Sequence, residues 1–438
     1  MKINDIIGVL KGKVINIEPR EISGVSIDTR TIKSGNIFFA LRGPHFDGHN
    51  FVKEAFKKGA SFSVVEHYVT GKNEIIVSDP LYALGQLARY HRQSIKGKII
   101  GITGSVGKTT TKEFLASILS RNHLSIKSEK NYNNLIGVPL SLLKAKDEEF
   151  VVIEMGSNKK GEIDRLSYIV EPDIGIITEI SAVHTEFLGD IRGVFEEKKS
   201  MLEYLRGELI VNGDNSFLNA LKYKNKTTIG FRKNNDFIVS IVGMDEGESI
   251  FSINGEVYKI SIPGKGSIVN AAISAVTAIK LGIGNEDIRI GLYETKGPPH
   301  RMEMVTIDGV QFIDDTYNAN PLAMKNAIDF LAGRTGKKLA ILGDMLELGD
   351  EANDFHREIG KYLRGKVDQI FVVGEKAKFY IEGFEGGIIY KDVSEIISAI
   401  VNDFKYWEWI LVKGSRKLEL DRIISTIWEK ECSTTSIT

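Results

Sequence analysis

The chain has 438 residues, too many for one ordinary hydrophobic core, and its length predicts two to four domains. Hydrophobic residues make up 42% and charged residues 26%, as in soluble globular proteins, and a net charge of −1 gives no general attraction to nucleic acid or to an acidic membrane surface. The sequence shows no secretory signal and no apolar run of the roughly 20 residues that a membrane helix needs. Its single cysteine, Cys432, cannot form an internal disulfide, which fits a reducing compartment. We therefore expect a cytoplasmic protein that binds neither nucleic acid nor membrane.

The first segment, residues 1–96, is predicted to form a small α/β domain. Its apolar runs at 37–41 and 63–65 are typical of buried strands. Residues 52–58 have the periodicity of an amphipathic helix, and a second helix is predicted from about 81 to 94.

The central segment, residues 97–297, is predicted to form a doubly wound, mostly parallel sheet. An apolar strand opens it, and further buried strands are predicted at 150–155 and 174–178, separated by helical patterns. Residues 227–262 change to short β runs with an Asn254-Gly255 turn, which indicates a small antiparallel region.

The last segment, residues 298–438, begins at the consecutive prolines Pro298 and Pro299, which interrupt both helix and sheet. Alternating strands and helices predict a third, Rossmann-like domain. Its strands are expected near 310–314, 338–342, 369–373 and 409–412. The predicted fold is therefore a three-domain α/β protein.

The most informative motif lies at the start of the central segment, where the apolar strand runs into a glycine-rich turn and Gly107-Lys108-Thr109 opens a helix. This arrangement directs backbone N–H groups, a helix N-terminus and an ammonium group at one point, which suits a polyphosphate better than a plain turn does. Thr109 is placed to reach a phosphate-bound magnesium ion. The commonest P-loop spacing needs glycine at position 102, where this chain has isoleucine; the glycine stands at 104, so the loop is tighter.

Three further positions carry candidate chemistry, each with a plainer alternative. Glu154 ends a buried strand, where an acid can bind the nucleotide's magnesium or, alternatively, be a capping or surface residue. His184 follows the 174–178 strand, and an isolated histidine is more often structural than a ligand. The charged run 196–199 is interpreted from its residues alone as a solvated helix face with paired charges.

Two polar loops are candidates for ligand binding. Asn131, Asn133 and Asn134 predict a turn, and their amides could equally contact a phosphate or a substrate. In the segment 314–321, paired acids end a strand, polar residues follow, and Pro321 begins a helix. We interpret this second loop as a ligand-binding loop that faces across a domain boundary.

Together these motifs resemble the Mur ligase family, the ATP-dependent amide ligases of bacterial cell-wall synthesis, over essentially the whole chain. Residues 103–109 match the family's shortened phosphate loop. Within the family the resemblance is to the branch that adds D-alanyl-D-alanine, because the neighbouring branch usually carries a His-Thr-Pro-type motif where this chain has residues 317–321. The segments that resemble this branch are 26–30, 38–43, 46–49, 131–139, 314–321, 342–349 and 412–416.

The resemblance implies an ATP site, two magnesium ions and a carbamylated lysine at Lys198, with a slip to Lys199 left open. It implies catalytic roles for Lys108, His184, Lys198 and Arg301. The implied nucleotide-binding residues are Gly104, Ser105, Val106, Gly107, Lys108, Thr109 and Thr110, with Asn270 at the base, Asp315 at the ribose and Arg301 at the phosphates. The implied metal ligands are Thr109 and Glu154 for one ion and His184 with Lys198 for the other.

The implied substrates are UDP-N-acetylmuramoyl-tripeptide and D-alanyl-D-alanine, joined through an acyl phosphate, and we expect a monomer. Substrate candidates, each of which could instead be a turn residue, are Ser26, Arg30, Asp47 and His49 at the nucleotide-sugar end, Asn318, Asn320 and Ser415 at the dipeptide end, and Asn134. The alternatives are another Mur ligase step, a folylpolyglutamate-type ligase, or a nucleotide-dependent switch without ligase activity.

Overall fold

The computed structural model describes residues 2–18, 20, 22–245 and 247–435. Three α/β units follow one another along the chain, each a main sheet with its own helices. We call them the N-terminal, central and third layers. The predicted three-domain α/β fold class is confirmed. Within the described residues, every helix is too short or too polar to cross a lipid bilayer. Short 3-10 helices occur at Gly48–Phe51, Ser200–Tyr204, Gly349–Glu351, Phe404–Tyr406 and Arg416–Leu418.

The N-terminal layer is a five-stranded sheet packed on helices, with a separate two-stranded ribbon. Its elements are α1 (Ile3–Leu10), β1 (Lys13–Ile15), β2 (Gly24–Ser26), β3 (Asn36–Phe39), β4 (Arg42–Gly43), β5 (Phe46–Asp47), α2 (Val52–Lys57), β6 (Phe62–Val65), β7 (Glu74–Ile76) and α3 (Pro80–Arg92). The sheet order is β1-β7-β6-β3-β2, and β1 is its antiparallel strand. The predicted strands and helices of this segment are confirmed with small shifts at their ends.

The central layer is a nine-stranded sheet with helices on both faces. Its strands are β8 (Lys98–Thr103), β9 (Ser125–Lys127), β10 (Phe150–Glu154), β11 (Ile174–Ile177), β12 (Glu208–Asn212), β13 (Lys226–Gly230), β14 (Phe237–Met244), β15 (Ser249–Ile253) and β16 (Glu256–Ile260). Its helices are α4 (Lys108–Leu119), α5 (Gly137–Leu142), α6 (Glu162–Val170), α7 (Thr185–Leu188), α8 (Ile191–Lys199), α9 (Ser216–Ala220), α10 (Lys265–Lys280) and α11 (Asn285–Glu294).

The central strand order is β16-β15-β14-β13-β12-β11-β8-β10-β9. Because β8 lies between β11 and β10 and pairs with both in parallel, the carboxyl ends of these three strands meet at one edge of the sheet. The predicted antiparallel region exists, with Asn254 and Gly255 both at positive φ in its turn, as an Asn-Gly hairpin requires. It does not stand apart, however, since β14 to β16 continue the parallel sheet.

The third layer is built on a six-stranded sheet. Its elements are β17 (Glu303–Ile307), β18 (Val310–Asp315), α12 (Pro321–Ala332), β19 (Lys338–Gly343), α13 (Ala352–Leu363), β20 (Gln369–Val373), α14 (Ala377–Phe384), β21 (Ile388–Tyr390), α15 (Val393–Ile400), β22 (Trp409–Lys413) and α16 (Asp421–Thr435). The strand order is β17-β18-β22-β19-β20-β21, and the sheet is parallel except for the β17–β18 pair. All four predicted strands are confirmed, whereas β17 and β21 were not predicted.

A network of arginines and carboxylates joins the N-terminal layer to the central one. Arg92, at the end of α3, is 3% exposed and donates to the carboxylate of Asp173 at 3.0 Å. Arg89 donates to the carboxylate of Glu171 at 2.6 Å, and Arg206 also pairs with Glu171. Arg92 is the buried member of this network, whereas the side chains of Arg89 and Arg206 are partly exposed, so the Arg92 pair is the one that water screens least.

Candidate active site

The phosphate-loop segment forms the predicted strand–turn–helix. Gly104 and Gly107 both have positive φ, and a Cβ added at Gly107 would lie 2.3 Å from Oδ1 of Asn270. Only glycine fits there, so the turn needs both its backbone freedom and its missing side chain. Nζ of Lys108 donates to the carbonyl of Gly104 at 2.7 Å, which folds the lysine over its own loop. Burial lowers the pKa of Lys108, against the charge of Glu154.

Glu154 ends β10 beside this loop and is 2% exposed. Its Oε1 accepts hydrogen bonds from the hydroxyl of Thr109 at 3.2 Å and from the side-chain amide of Asn133 at 2.9 Å. Its Oε2 has no hydrogen-bond partner in the described part of the chain, and Nζ of Lys112 lies 3.6 Å away. A buried carboxylate oxygen without a hydrogen bond beside a threonine hydroxyl is a donor set that suits a hard divalent cation.

The interpretation of the charged run 196–199 as a solvated helix face is wrong for its two middle residues, Glu197 and Lys198. Glu197 is 4% exposed, and its carboxylate accepts from the backbone N–H groups of Gly161 and Ile163. Lys198 is 1% exposed, and its Nζ donates to Oγ of Ser157 at 2.6 Å. Only the outer residues behave as predicted, since Lys199 pairs with Glu196 on the surface.

The environment of Lys198 changes its acidity. Burial, followed by the charge of Lys108, lowers the pKa of Lys198 to about 7. A large share of this amine is therefore neutral at physiological pH, unlike that of an ordinary surface lysine.

His184 immediately precedes α7, has positive φ and lies at the boundary with the third layer. Its Nδ1 lies 2.5 Å from Oε2 of Glu347, a residue 163 positions further along the chain. Burial lowers the pKa of His184, and the carboxylate of Glu347 opposes that shift.

The third layer adds a second group of charged side chains. Asp315 and Lys413 end the adjacent strands β18 and β22, and Nζ of Lys413 contacts Oδ2 of Asp315 at 2.5 Å. The guanidinium of Arg301 lies over the ring of Tyr317, with its central carbon 3.9 Å from the ring centre. The backbone N–H of Met302 donates to Asp315, which anchors the chain on one side of Arg301.

These two groups face one another across a single cavity of about 530 Å³. From the central layer it is lined by Ser105, Val106, Gly107, Lys108, Thr109, Thr110, Asn134, Glu154, His184 and Asn270, and from the third layer by Arg301, Asp315, Asn318, Asn320 and Lys413. Gly104 and Lys198 lie just behind this surface, Gly104 under Lys108 and Lys198 behind Ser157. Asn270 lies against Gly107 of the loop.

The predicted substrate residues divide between the cavity and other places. Asn320 accepts from the N–H of Ala323 and caps α12, and Oδ1 of Asn134 accepts from the N–H of Gly137 at the start of α5, although both asparagines line the cavity. Ser415 is not part of the lining; its Oγ accepts from the N–H of Leu346 and its N–H donates to the carbonyl of Asp344.

The four N-terminal candidates lie outside this cavity, whose lining runs from Ser105 to Lys413. Asp47 accepts from both the backbone N–H and Nδ1 of His49, and these hydrogen bonds lower the pKa of Asp47 to about 2. The second ring nitrogen of His49 accepts from the N–H of Glu66. Ser26 bonds within its own turn, and Arg30 pairs with Asp28 at the surface.

Family models match three successive parts of the chain: "Mur ligase family, catalytic domain" over residues 21–92, "Mur ligase middle domain" over 102–278 and "Mur ligase, glutamate ligase domain" over 300–416. The chain belongs to the Mur ligase family. Among the relatives of this Mur ligase, the UDP-N-acetylmuramoyl-tripeptide–D-alanyl-D-alanine ligase of Bacillus subtilis is 36% identical, with 98% of this chain and 99% of that protein covered. The ligase of the same name from Escherichia coli is 30% identical, with 98% of each chain covered.

Solved structures agree with this family. A crystal structure of MurF from Acinetobacter baumannii has a TM-score of 0.91 and 30% identity, with 98% of each chain covered. The MurF ligase of Thermotoga maritima, solved in complex with ADP, has a TM-score of 0.86 and 28% identity, with 94% of this chain and 98% of that chain covered.

Several side chains at the site of this Mur ligase were not predicted as site residues. Lys413 and Glu347 lie in two of the segments that carry the family resemblance, so a signal for both was present in the sequence. Tyr317 also lies in such a segment, 314–321, whereas Ser157 has no such signal, because its contact with Lys198 depends on how distant elements pack.

Proposed function

We propose that this Mur ligase joins D-alanyl-D-alanine to UDP-N-acetylmuramoyl-tripeptide, using ATP and releasing ADP and phosphate, in the cytoplasmic stage of peptidoglycan synthesis. The observation that carries the proposal is the shared cavity, in which the phosphate loop faces Arg301, Asp315 and Lys413. Relatives with this activity in their names, 36% and 30% identical over nearly the full length, support the choice of substrates. We propose a monomer as the working unit.

We assign the domains as residues 1–96 for the sugar nucleotide, 97–297 for ATP and 298–438 for the dipeptide. Each of the three matched family segments lies inside one of these units, which supports the division. Ser26, Arg30, Asp47 and His49 remain our candidates for the sugar-nucleotide end. At the dipeptide end we retain Asn318 and Asn320, and we assign Ser415 an indirect role through the loop that it supports.

The reaction makes an amide from a carboxylate, which is a poor electrophile until it carries a leaving group. An oxygen of the tripeptide carboxylate bonds to the γ-phosphorus of ATP while the bond to the β–γ bridging oxygen breaks and ADP leaves. The dipeptide's amine nitrogen then bonds to the acyl carbon, the carbon–oxygen bond to phosphate breaks, and the amine loses a proton to water. Both steps concentrate negative charge, so positioning and electrostatic stabilisation dominate.

The chain's own cations are placed for this task. Lys108 and the N–H groups of the loop and of the start of α4 would hold the β- and γ-phosphates. Arg301 would contact the phosphates from the opposite wall, where its planar donors suit a phosphoryl group. Asn270 and Asp315 would contact the base and the ribose, as in our sequence-based assignment.

The residues present fit magnesium. Thr109 and Glu154 supply neighbouring oxygens, and the buried Oε2 of Glu154 has no protein hydrogen bond in the described chain. We assign these two residues to one ion, and His184 with a carbamylated Lys198 to a second. Magnesium at these positions would neutralise charge on the nucleotide's phosphates and on the attacking carboxylate.

Carbamylation of Lys198 is supported by its burial and by its pKa of about 7. The neutral amine adds carbon dioxide: the nitrogen lone pair bonds to the carbon, one proton leaves to water, and a carbamate anion results. This change turns a cation into an oxygen donor of the kind that magnesium binds. Lys199 is exposed and paired with Glu196, which favours Lys198 as the modified residue.

The test is amide formation from ATP, UDP-N-acetylmuramoyl-tripeptide and a series of amines. We expect rapid phosphate release with D-alanyl-D-alanine only, and loss of product in the Lys108→Ala variant. Equal rates with other acceptors would indicate another Mur or folylpolyglutamate-type ligase. ATP hydrolysis without amide product would indicate a nucleotide-dependent switch.

A further inference from the structure

A side-chain contact joins the central layer to the third layer beside the cavity. Nδ1 of His184 lies 2.5 Å from Oε2 of Glu347. Two further hydrogen bonds flank it, from the hydroxyl of Thr185 to the carbonyl of Leu348 at 3.0 Å and from the N–H of Glu186 to the carbonyl of Glu347 at 3.3 Å. The start of α7 and the loop after β19 are therefore tied together at this point.

The contact fixes which nitrogen of the histidine carries the proton. A carboxylate can only accept, so Nδ1 of His184 donates to Glu347 and the lone pair is left on Nε2. In metal sites, a carboxylate in this position orients the ring and raises the basicity of the ligating nitrogen. His184 lines the cavity, whereas Glu347 lies outside its lining.

We propose that Glu347 is a positioning residue, which sets the tautomer and the ring orientation of His184 for magnesium and does so only while the third domain is docked on the central one. The proposal rests on the function proposed above, since it takes His184 as a metal ligand. It makes the second metal position dependent on the arrangement of two domains.

The loop that carries Glu347 is firmly held by its own domain. The N–H of Met345 donates to Nε2 of His356 at 3.0 Å, and the N–H of Leu346 donates to Oγ of Ser415 at 3.0 Å. Glu347 itself adopts positive φ, as does His184 opposite it. Movement of the third domain would therefore carry the carboxylate with it.

The test uses Mn²⁺ as the probe, titrated into the full-length protein with a non-hydrolysable ATP analogue and followed by the electron paramagnetic resonance of free Mn²⁺. We expect Glu347→Gln to weaken the binding of one ion by roughly 10- to 100-fold. In steady-state assays kcat should fall while KM for ATP stays unchanged, because the phosphate loop is intact. Glu351→Gln, an exposed glutamate four positions on, is the matched control and should change neither quantity.

A double-mutant cycle separates positioning from a general structural effect. In a His184→Gln background, Glu347→Gln should weaken Mn²⁺ binding no further. Unchanged Mn²⁺ binding in Glu347→Gln, or effects of the two substitutions that multiply, would overturn the inference. Absence of ligation by the wild type would instead overturn the proposed function, while the Mn²⁺ cycle would still decide the role of Glu347.

Discussion

Asp315 and Lys413 stand opposite one another at the ends of two parallel strands, with Nζ and Oδ2 2.5 Å apart and the lysine 1% exposed. The same Nζ also donates to the carbonyl of Asn318 at 2.9 Å. One buried ammonium group therefore fixes both the acid assigned to the ribose and the loop assigned to the dipeptide.

Lys413→Met should leave the carboxylate of Asp315 without its partner. Removal of one member of a buried pair costs about 3–5 kcal/mol, and access of water from the cavity should hold the loss of unfolding free energy near the lower end. KM for ATP and for D-alanyl-D-alanine should both rise. Urea denaturation and steady-state kinetics measure these effects. In a cycle with Asp315→Asn, purely additive losses would contradict the coupling.

Gly107→Ala should weaken ATP binding by more than its loss of unfolding free energy accounts for. Its φ is +88°, and a Cβ would lie 2.3 Å from Asn270. Gly161 is the matched control, because its φ is +86° and its Cβ would meet nothing within 4 Å. Both substitutions should cost about 1–2 kcal/mol of unfolding free energy for the backbone conformation. Only Gly107→Ala should raise KM for ATP, by about tenfold or more; equal KM values in the two variants would disprove the steric argument.

Lys198→Met should remove activity, by at least roughly 100-fold, without loss of stability at pH 7. Burial depresses the pKa of Lys198 from 10.5 to about 7, so between these values the unfolded chain binds a proton that the folded chain does not. In carbon-dioxide-free buffer, the unfolding free energy of the wild type should therefore fall as pH drops from 10.5 to 7, and this part of the slope should vanish in Lys198→Met.

Chemical rescue tests the carbamate itself. Partial rescue of the activity of Lys198→Ala by short carboxylates would support the carbamate, and full activity of that variant without them would exclude it.

His356 should make the protein sensitive to acid. Its Nδ1 donates to the carbonyl of Ala352 and its Nε2 accepts from Met345, so the buried ring is neutral, and burial lowers its pKa from 6.5 to about 4. The unfolded state takes up the proton first, so unfolding free energy should decline as pH falls from 6.5 to 4, by about 3 kcal/mol at the end of that range. His356→Gln should flatten this decline in denaturation curves; an unchanged slope would show that other groups cause it.

The sequence predicted the parts of the site that depend on local order along the chain. The phosphate loop, Glu154 at a strand end and Pro321 at a helix start follow from short-range spacing and backbone chemistry, and the structure has each element in place. The burial of Lys198 could not be predicted, since its residue pattern is that of a surface helix and only the packing of α8 behind Ser157 encloses it. The contact between His184 and Glu347 joins residues 163 positions apart, and no local pattern encodes it.

The arginine network around Glu171 and Asp173 has a consequence for motion. Separating the first two layers would break the hydrogen bonds of Arg92 to Asp173 and to the backbone carbonyl of Glu171, together with the pair between Arg89 and Glu171. The contacts between the central and third layers at His184 are fewer and partly solvent-exposed. We therefore expect the N-terminal and central layers to move together as one rigid body. The hinge should lie between the central layer and the third layer.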